Sequence, residues 1–401
     1  MLSALYRRVL WRHLPALVAG VLAGYFAGRN RHLVLQQLSP TALLNTATEV
    51  SGFQQDVVKG VVASERREKA ALVALVRNSD LYGLRQAMRQ VEDRFNRNYN
   101  YPYIFVNDVP FTEEFKRGVR AVTAAPVEFG TLDAKSWGIP TWIDQQRYAE
   151  VKRTARYPHG KEDSYRKMCR FQSGYLHRHP LLQDLDYYWR IEPDVEYYCD
   201  INYDPFRYMQ DNGFKYGWNI AMAEFMETIP SLWNTTLQFA REHPEAIAKD
   251  SMWQWLVNDS GTYNGCHFWS NFEIVDLRFY RSREYQLFFD YLDRAGGFFY
   301  ERWGDAPVHS IAASLFLNAS QVHYFEDTGY YHPHVVSCPR GASTQGRCIC
   351  DESKSFIQDG LCTVRYKQVR QMILDPNATE PVHTGVVHRD VPAVQVVTSF
   401  G

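Results

Sequence analysis

The sequence predicts an α/β fold of the open, nucleotide-binding kind, and two observations carry that prediction. Ala70–Val76 (AALVALV) is a continuous apolar run ending in Arg77-Asn78-Ser79-Asp80, the pattern of a strand buried on both faces. A helix is then expected, with Ser79 or Asp80 as N-cap and Leu81, Leu84, Met88, Val91 and Phe95 at helical spacing. A second strand at Tyr103–Val106 completes a strand–helix–strand unit, the opening of an α/β sheet. Further strands are expected at Val127–Gly130, Tyr187–Ile191, Val195–Cys199, Tyr216–Met222 and Val322–Phe325. A later helix is expected to start with Asp305 as N-cap and Pro307 in its first turn. There is no Walker loop and no G-x-G-x-x-G fingerprint, so a classical dinucleotide enzyme is unsupported.

Composition narrows the class. The 401 residues are enough to bury a large core, and 45% of them are apolar. Lys+Arg number 44 against 45 Asp+Glu, so no basic excess exists to neutralise a polymer of phosphates, and no nucleic-acid partner is expected. A mean hydropathy of −0.40 with a single long apolar stretch excludes a polytopic membrane protein. The 26 Tyr, 23 Phe and 10 Trp supply rings that stack on sugar faces, although most such rings are core.

The amino-terminal region predicts a location. Residues 1–13 carry Arg7, Arg8 and Arg12, and Leu14–Gly28 is uncharged before Arg29 and Arg31. Fifteen residues fall short of the roughly 20 that span an average bilayer, but flanking arginines snorkel and thin membranes accept shorter spans. The expectation is a signal anchor with cytosolic residues 1–13, a stem over 29–68 and a luminal carboxyl-terminal part, a cleaved signal peptide being the rival. Four Asn-x-Ser/Thr sequons, at Asn234, Asn258, Asn318 and Asn377, agree with a luminal compartment. So do the seven cysteines, four of which fall within Cys338–Cys362 at spacings unlike a zinc site. They predict a small disulfide-stapled end at 338–362, followed by a tail at 371–401. The odd total leaves at least one thiol outside any pairing within the chain.

Four segments carry candidate chemistry. In Tyr188-Trp-Arg-Ile-Glu-Pro-Asp-Val, Glu192 and Asp194 at i and i+2 of an extended chain would face one cation, and oxygen ligands suit Mg²⁺ or Mn²⁺. A solvated turn with two ordinary carboxylates is the competing reading. Tyr263–Glu273 (YNGCHFWSNFE) places Glu273 among aromatics, either as a nucleophile or charge stabiliser at a sugar carbon or as the partner of an arginine such as Arg278. Ala295–Ala312 gathers Glu301, Arg302 and Asp305 before a helix, where Asp305 would serve as a cap and Arg302 as an ion-pair partner. In Tyr330-Tyr-His-Pro-His334, a loop histidine is either solvated or a nitrogen ligand to a metal.

Taken together, LVRNSDLYGLRQAMRQVEDRFNRNY, SYRKMCRF, YYWRIEPDVEYYCDINYD, CHFWSNFEI, AGGFFYERWGDAPVHSIAA and GYYHPH resemble the fungal α-1,2-mannosyltransferases called glycolipid 2-alpha-mannosyltransferases. The likeness runs from about Lys69 to Cys362. It implies a single GT-A-like nucleotide-sugar-binding domain with a mixed central sheet over 69–370, in a Golgi type II membrane protein. It implies GDP-mannose as donor, Mn²⁺ as cofactor, mannoside glycans as acceptors, and transfer with retention to a 2-hydroxyl. By matched position, Glu192 and His332 are the implied metal ligands and Glu273 the implied nucleophile. Tyr165, Arg77, Arg170, Asp194 and Asp305 are implied donor contacts. A non-catalytic glycan-binding protein on the same scaffold, or a mannosylphosphate or other-linkage transferase, is the rival function.

Overall fold

The computed structural model describes residues 67–341, 346–355 and 360–375. The expected anchor, the expected stem up to residue 66, Asn377 and most of the expected tail lie outside these residues. Among the described residues, no helix is long and apolar enough to cross a membrane.

The apolar run becomes β1 (Ala70–Leu75), buried along almost its whole length and flanked in parallel by β2 (Tyr103–Asn107) and β4 (Tyr187–Arg190). Beyond β2 lies β3 (Val127–Thr131), again parallel. The short strand β5 (Glu196–Tyr197) lies outside this sheet. On the other side of β4 the direction reverses. β9 (Glu273–Asp276) runs antiparallel to both β4 and β6 (Tyr216–Trp218), and β10 (Val322–Tyr324) closes the edge parallel to β6. The result is a mixed seven-stranded sheet in the order β10-β6-β9-β4-β1-β2-β3. Because β1 is followed by β2 on one side and flanked by β4 on the other, the strand order switches there. Open α/β sheets hold their ligands beyond the carboxyl ends at such a point.

The helix Leu81–Val91 starts after Asp80, as its spacing predicts, and buries Leu81, Leu84, Ala87, Met88 and Val91. Two large apolar clusters cover the two faces of the sheet, one around Leu72, Trp189 and Ile274, the other around Tyr188, Trp218 and Val275.

Several expectations are corrected. The run Tyr216–Met222 is two strands, β6 and β7 (Ala221–Ala223), the second pairing with β8 (Cys266–Phe268). The break falls at buried Asn219, whose Nδ2 donates to the carbonyls of Phe325 and Thr328, both at 2.7 Å, and so draws the chain off the ladder. Val195–Cys199 shrinks to β5, which joins β11 (Tyr330–His332) and β12 (Val335–Ser337) in a small antiparallel sheet. His332 is therefore a strand residue, held by the turn at Pro333 and His334, and not part of a loop.

The stapled end is not self-contained. Cys338 pairs with Cys350, but Cys348 reaches Cys199, and Cys362 reaches Cys266 on β8. Two of the three bridges thus tie the carboxyl-terminal segment to the sheet domain. Cys169, buried on the helix Asp163–Gly174, is the free thiol that the odd count requires.

Candidate active site

β4 ends at Arg190, and Pro193, with no N–H to give, stands just beyond. The β4–β9 register pairs Tyr188 with Val275 and Trp189 with Ile274, so its continuation sets Arg190 opposite Glu273. Opposed residues share a sheet face. The site is built from this pair outward.

Arg190 is buried, and its guanidinium holds two carboxylates at once. Nε donates to Glu192 Oε1 at 2.7 Å, and Nη1 donates to Asp305 Oδ2 at 2.6 Å. Ser270 Oγ donates to the same Asp305 oxygen at 2.7 Å. Burial works against the arginine's charge, but Glu192 and Asp305 more than restore it. Burial equally opposes the Asp305 charge. The positive Arg190 and the Ser270 bond nevertheless hold Asp305 below the usual carboxylate range. Asp305 is not the helix N-cap; Gly304 takes that position, leaving the Asp305 side chain free for Arg190.

Glu192 faces His332. Burial lowers the His332 pKa against the pull of the Glu192 charge, which favours neutral imidazole, and its ring packs 4.3 Å from that of Trp269. His332 Nδ1 is buried with no hydrogen-bond partner. A buried orphan nitrogen beside a carboxylate fits a nitrogen-plus-oxygen metal site. Among the described residues, no three or more His, Cys, Asp or Glu side chains converge on one point. Asp194 does not keep the extended geometry expected of it. It adopts a left-handed φ of 61°, which breaks the extended alternation expected of Glu192 and Asp194. Its carboxylate lies over Gly83, where a Cβ would come within 2.1 Å of Oδ1.

Glu273 has no exposed surface. Tyr188 donates to Oε1, and Oε2 receives Tyr216 at 3.0 Å and Tyr280 at 3.3 Å, with His309 Nδ1 at 3.0 Å. Burial first, and the Glu273 charge second, push all three tyrosine hydroxyls well above their ordinary range, so they remain donors. Arg278, the alternative partner of Glu273, is bound to Asp276 at 2.7 Å instead.

The remaining expected residues divide. Tyr165 lies between the His159 ring, stacked at 4.4 Å, and the Arg302 guanidinium, 5.2 Å from its centroid. The charge of Asp305 also acts on its hydroxyl, which burial raises. Arg302 itself reaches Glu224 at 3.4 Å and Thr228 Oγ1 at 3.0 Å, the ion-pair role expected of it. Arg77 is exposed just beyond the carboxyl end of β1. Arg170 is not brought to this cluster. Its buried guanidinium is engaged by Asp293 at 2.7 and 2.8 Å and donates to Tyr175 at 2.7 Å.

The sequence reading passed over Arg190, Ser270, His309 and the three tyrosines. Two had a legible signal: Arg190 and Glu192 are i and i+2 on an extended segment, and Asp305 and His309 are i and i+4 on one helix face. The tyrosines come from two strands and a helix, a convergence that no local spacing encodes.

With this geometry in view, comparisons with known proteins are informative. The family described as glycolipid 2-alpha-mannosyltransferase matches residues 32–371. Glycolipid 2-alpha-mannosyltransferase 1 of Candida albicans is 47% identical over 320 residues, covering 78% of this chain and 74% of that protein. Alpha-1,2 mannosyltransferase KTR1 of Saccharomyces cerevisiae is 46% identical over 329 residues, 80% of this chain and 84% of that one. Among solved structures, the mannosyltransferase Ktr4p from S. cerevisiae in complex with GDP superposes with a TM-score of 0.71 at 38% identity, covering 76% of this chain and 82% of that one. Core-mannan synthase A from Aspergillus fumigatus, in a Mn/GDP form, gives 0.68 at 37% identity, with 78% and 86% covered.

Proposed function

The chain belongs to the glycolipid 2-alpha-mannosyltransferase family, and on that premise we propose that it transfers mannose from GDP-mannose to the 2-hydroxyl of a terminal mannoside, with retention, in the Golgi lumen. The observation that carries the reading is the juxtaposition at the switch point of the sheet: Glu192 beside an unpartnered His332 nitrogen, and Glu273 opposite Arg190.

Glu192 and His332 would hold a divalent cation, Mn²⁺ in the first instance, and that ion when bound would neutralise diphosphate charge and ease departure of GDP. The chain's own residues do the rest. Arg190 fixes the Glu192 carboxylate through Nε and is itself fixed by Asp305 and Ser270, so the ligand is oriented before donor arrives. Arg77, Tyr165 and Asp305 are proposed donor contacts, and Asp194 shapes the loop by its seat on Gly83.

Glu273 is proposed to stabilise positive charge developing at the anomeric carbon. Its complete enclosure supports that electrostatic role over covalent attack, because an attacking oxygen needs an open path and this one is occupied by hydroxyl donors. Retention then follows from front-face substitution. The bond from C1 to phosphate breaks, the acceptor oxygen joins C1 on the same face, and its proton passes to the departing phosphate oxygen. Incubation of the protein with GDP-mannose and α-methyl mannoside tests the reading through the linkage and configuration of the product.

A further inference from the structure

The connection from β8 to β9 is a tight turn, in which the Phe272 N–H donates to the Trp269 carbonyl at 3.4 Å. Its side chains are spent on the site and its support. The Trp269 ring packs on His332, and Ser270 Oγ donates to Asp305. The Phe272 ring lies behind them, 5.5 Å from that of Trp189 and 5.3 Å from that of Tyr330. Asn271 is the exception. The Tyr330 hydroxyl pins its backbone carbonyl at 3.2 Å, but nothing in the protein engages its side chain.

Asn271 is 5% exposed, and neither Oδ1 nor Nδ2 has a hydrogen-bond partner in the protein. The other buried asparagines among the described residues behave differently. Asn96 uses both ends: Nδ2 donates to Glu92 and to the Tyr101 carbonyl, and Oδ1 accepts from the Tyr101 N–H. Asn107 and Asn219 each satisfy one end. Only Asn271 of this group leaves both open. Buried polar groups are nearly always bonded, and a donor and an acceptor left unpaired together cost the fold what a bound molecule can restore.

The chemistry of the carboxamide names the class of molecule. It presents an acceptor and a donor side by side. A diphosphate offers acceptors only and would leave Oδ1 unpaired, whereas a metal ion would leave Nδ2 unpaired. Adjacent hydroxyls of a pyranose, each able to donate and accept, satisfy both. Position then chooses the sugar. Asn271 follows Ser270, which reaches Asp305, and stands two residues before Glu273.

We propose that Asn271 binds a pair of adjacent hydroxyls of the transferred mannose and so helps to set which nucleotide sugar is accepted. The proposal deepens the transferase reading and rests on it. Asn271 is a specificity-determining residue that touches substrate, beside the Glu273 that faces the anomeric carbon.

The test couples a variant with altered sugars. The near-isosteric Asn271→Leu should lower kcat/KM for GDP-mannose by about 10–100-fold, the worth of two neutral hydrogen bonds. A GDP-mannose analogue lacking one bonded hydroxyl should lose about 5–10-fold with the parent chain and nothing further with the variant. GDP, which has no sugar, should bind parent and variant alike in calorimetric titration. The unfolding midpoint of the ligand-free variant should be unchanged or raised, because an apolar group replaces an unpartnered amide. Asn271→Ala repeats the binding and kinetic comparisons with a smaller side chain. Losses equal for GDP-mannose, its analogues and GDP, with a lowered midpoint, would mark a packing residue and overturn the proposal. Coupling to hydroxyl-deleted α-methyl mannosides instead would move the contact to the acceptor and overturn its assignment to the donor. A parent chain that binds GDP-mannose without turning it over counts against the transferase reading alone, since binding of GDP-mannose against GDP still decides the role of Asn271. A folded parent chain that binds none overturns both.

Discussion

Two glutamates from neighbouring strand ends, Glu192 and Glu273, sit in opposite environments. Glu192 is partly exposed, bound on one side by Arg190, and faces a histidine nitrogen that lacks a partner. Glu273, a strand away, is sealed by three tyrosines and a histidine. On the proposed function, the same side chain has two tasks. An open carboxylate with an orphan nitrogen beside it is fit to take a cation from solution, whereas an enclosed one with every oxygen occupied is fit to act as a fixed charge. Environment decides the role here, as it does wherever two carboxylates share an active site.

The comparison breaks most visibly at the sealed side. Glu273→Gln keeps the shape and removes the charge, and transfer should fall by about 10²–10³-fold or more with GDP binding retained. Calorimetric titration of GDP beside the transfer assay checks both halves. Loss of GDP binding would mean that Glu273 supports the fold and not the reaction.

On the open side, Arg190→Met should cost about 3–5 kcal/mol, because it strands Asp305 and Glu192 without their cation. Thermal or denaturant unfolding measures it. The milder Arg190→Lys removes the fork and should weaken Mn²⁺ binding by about 10–100-fold, as loss of a partner behind a metal ligand commonly does.

A histidine elsewhere sharpens the contrast. His323, on edge strand β10, is stacked 4.5 Å from Phe214, and burial first and the Arg370 charge second lower its pKa to about 4. A histidine depressed in the folded state takes up its proton more readily when unfolded. Its contribution is therefore complete above the unfolded value of about 6.5 and is lost as pH falls towards 4. At about 1.4 kcal/mol per pH unit, the loss across that window is about 3 kcal/mol, less the screening of the partly exposed ring. His323→Phe should flatten that part of the stability curve. An unchanged curve would place the titration elsewhere.

The smallest expected effect is at the loop between the two glutamates. Gly83→Ala places a methyl 2.1 Å from Asp194 Oδ1 and 3.1 Å from its backbone nitrogen, so the Glu-Pro-Asp loop must shift. A rise of severalfold in the Mn²⁺ concentration needed for half-maximal transfer, with little change in GDP binding, is expected and is measured by metal titration.

The sequence was legible where one physical signal dominated. The run Ala70–Val76 reads as a doubly buried strand because nothing polar interrupts it, and the next helix and strand are where periodicity puts them. It was less legible where short strands carry polar residues for reasons of the site. β9 begins with the sealed Glu273 and ends at Asp276, which binds Lys215 and Arg278, so it shows neither alternation nor an apolar run. β11 and β12 are three residues each, below the length at which any period can be counted. Glu192, Glu273 and a histidine of Tyr330–His334 stand out from the residues alone, but their roles come from the family resemblance, and what neither carries is their surroundings. That Arg170 is engaged by Asp293, 123 residues away, is a tertiary fact without a local trace.

The most direct test of the account is transfer by the full chain from GDP-mannose to α-methyl mannoside, with Mn²⁺ and with chelator, followed by linkage analysis. The account predicts an α-1,2-linked disaccharide that forms with the metal and vanishes with chelator. GDP-mannose bound by folded protein with no sugar transferred to any mannoside, or transfer unaffected by chelator, would contradict it.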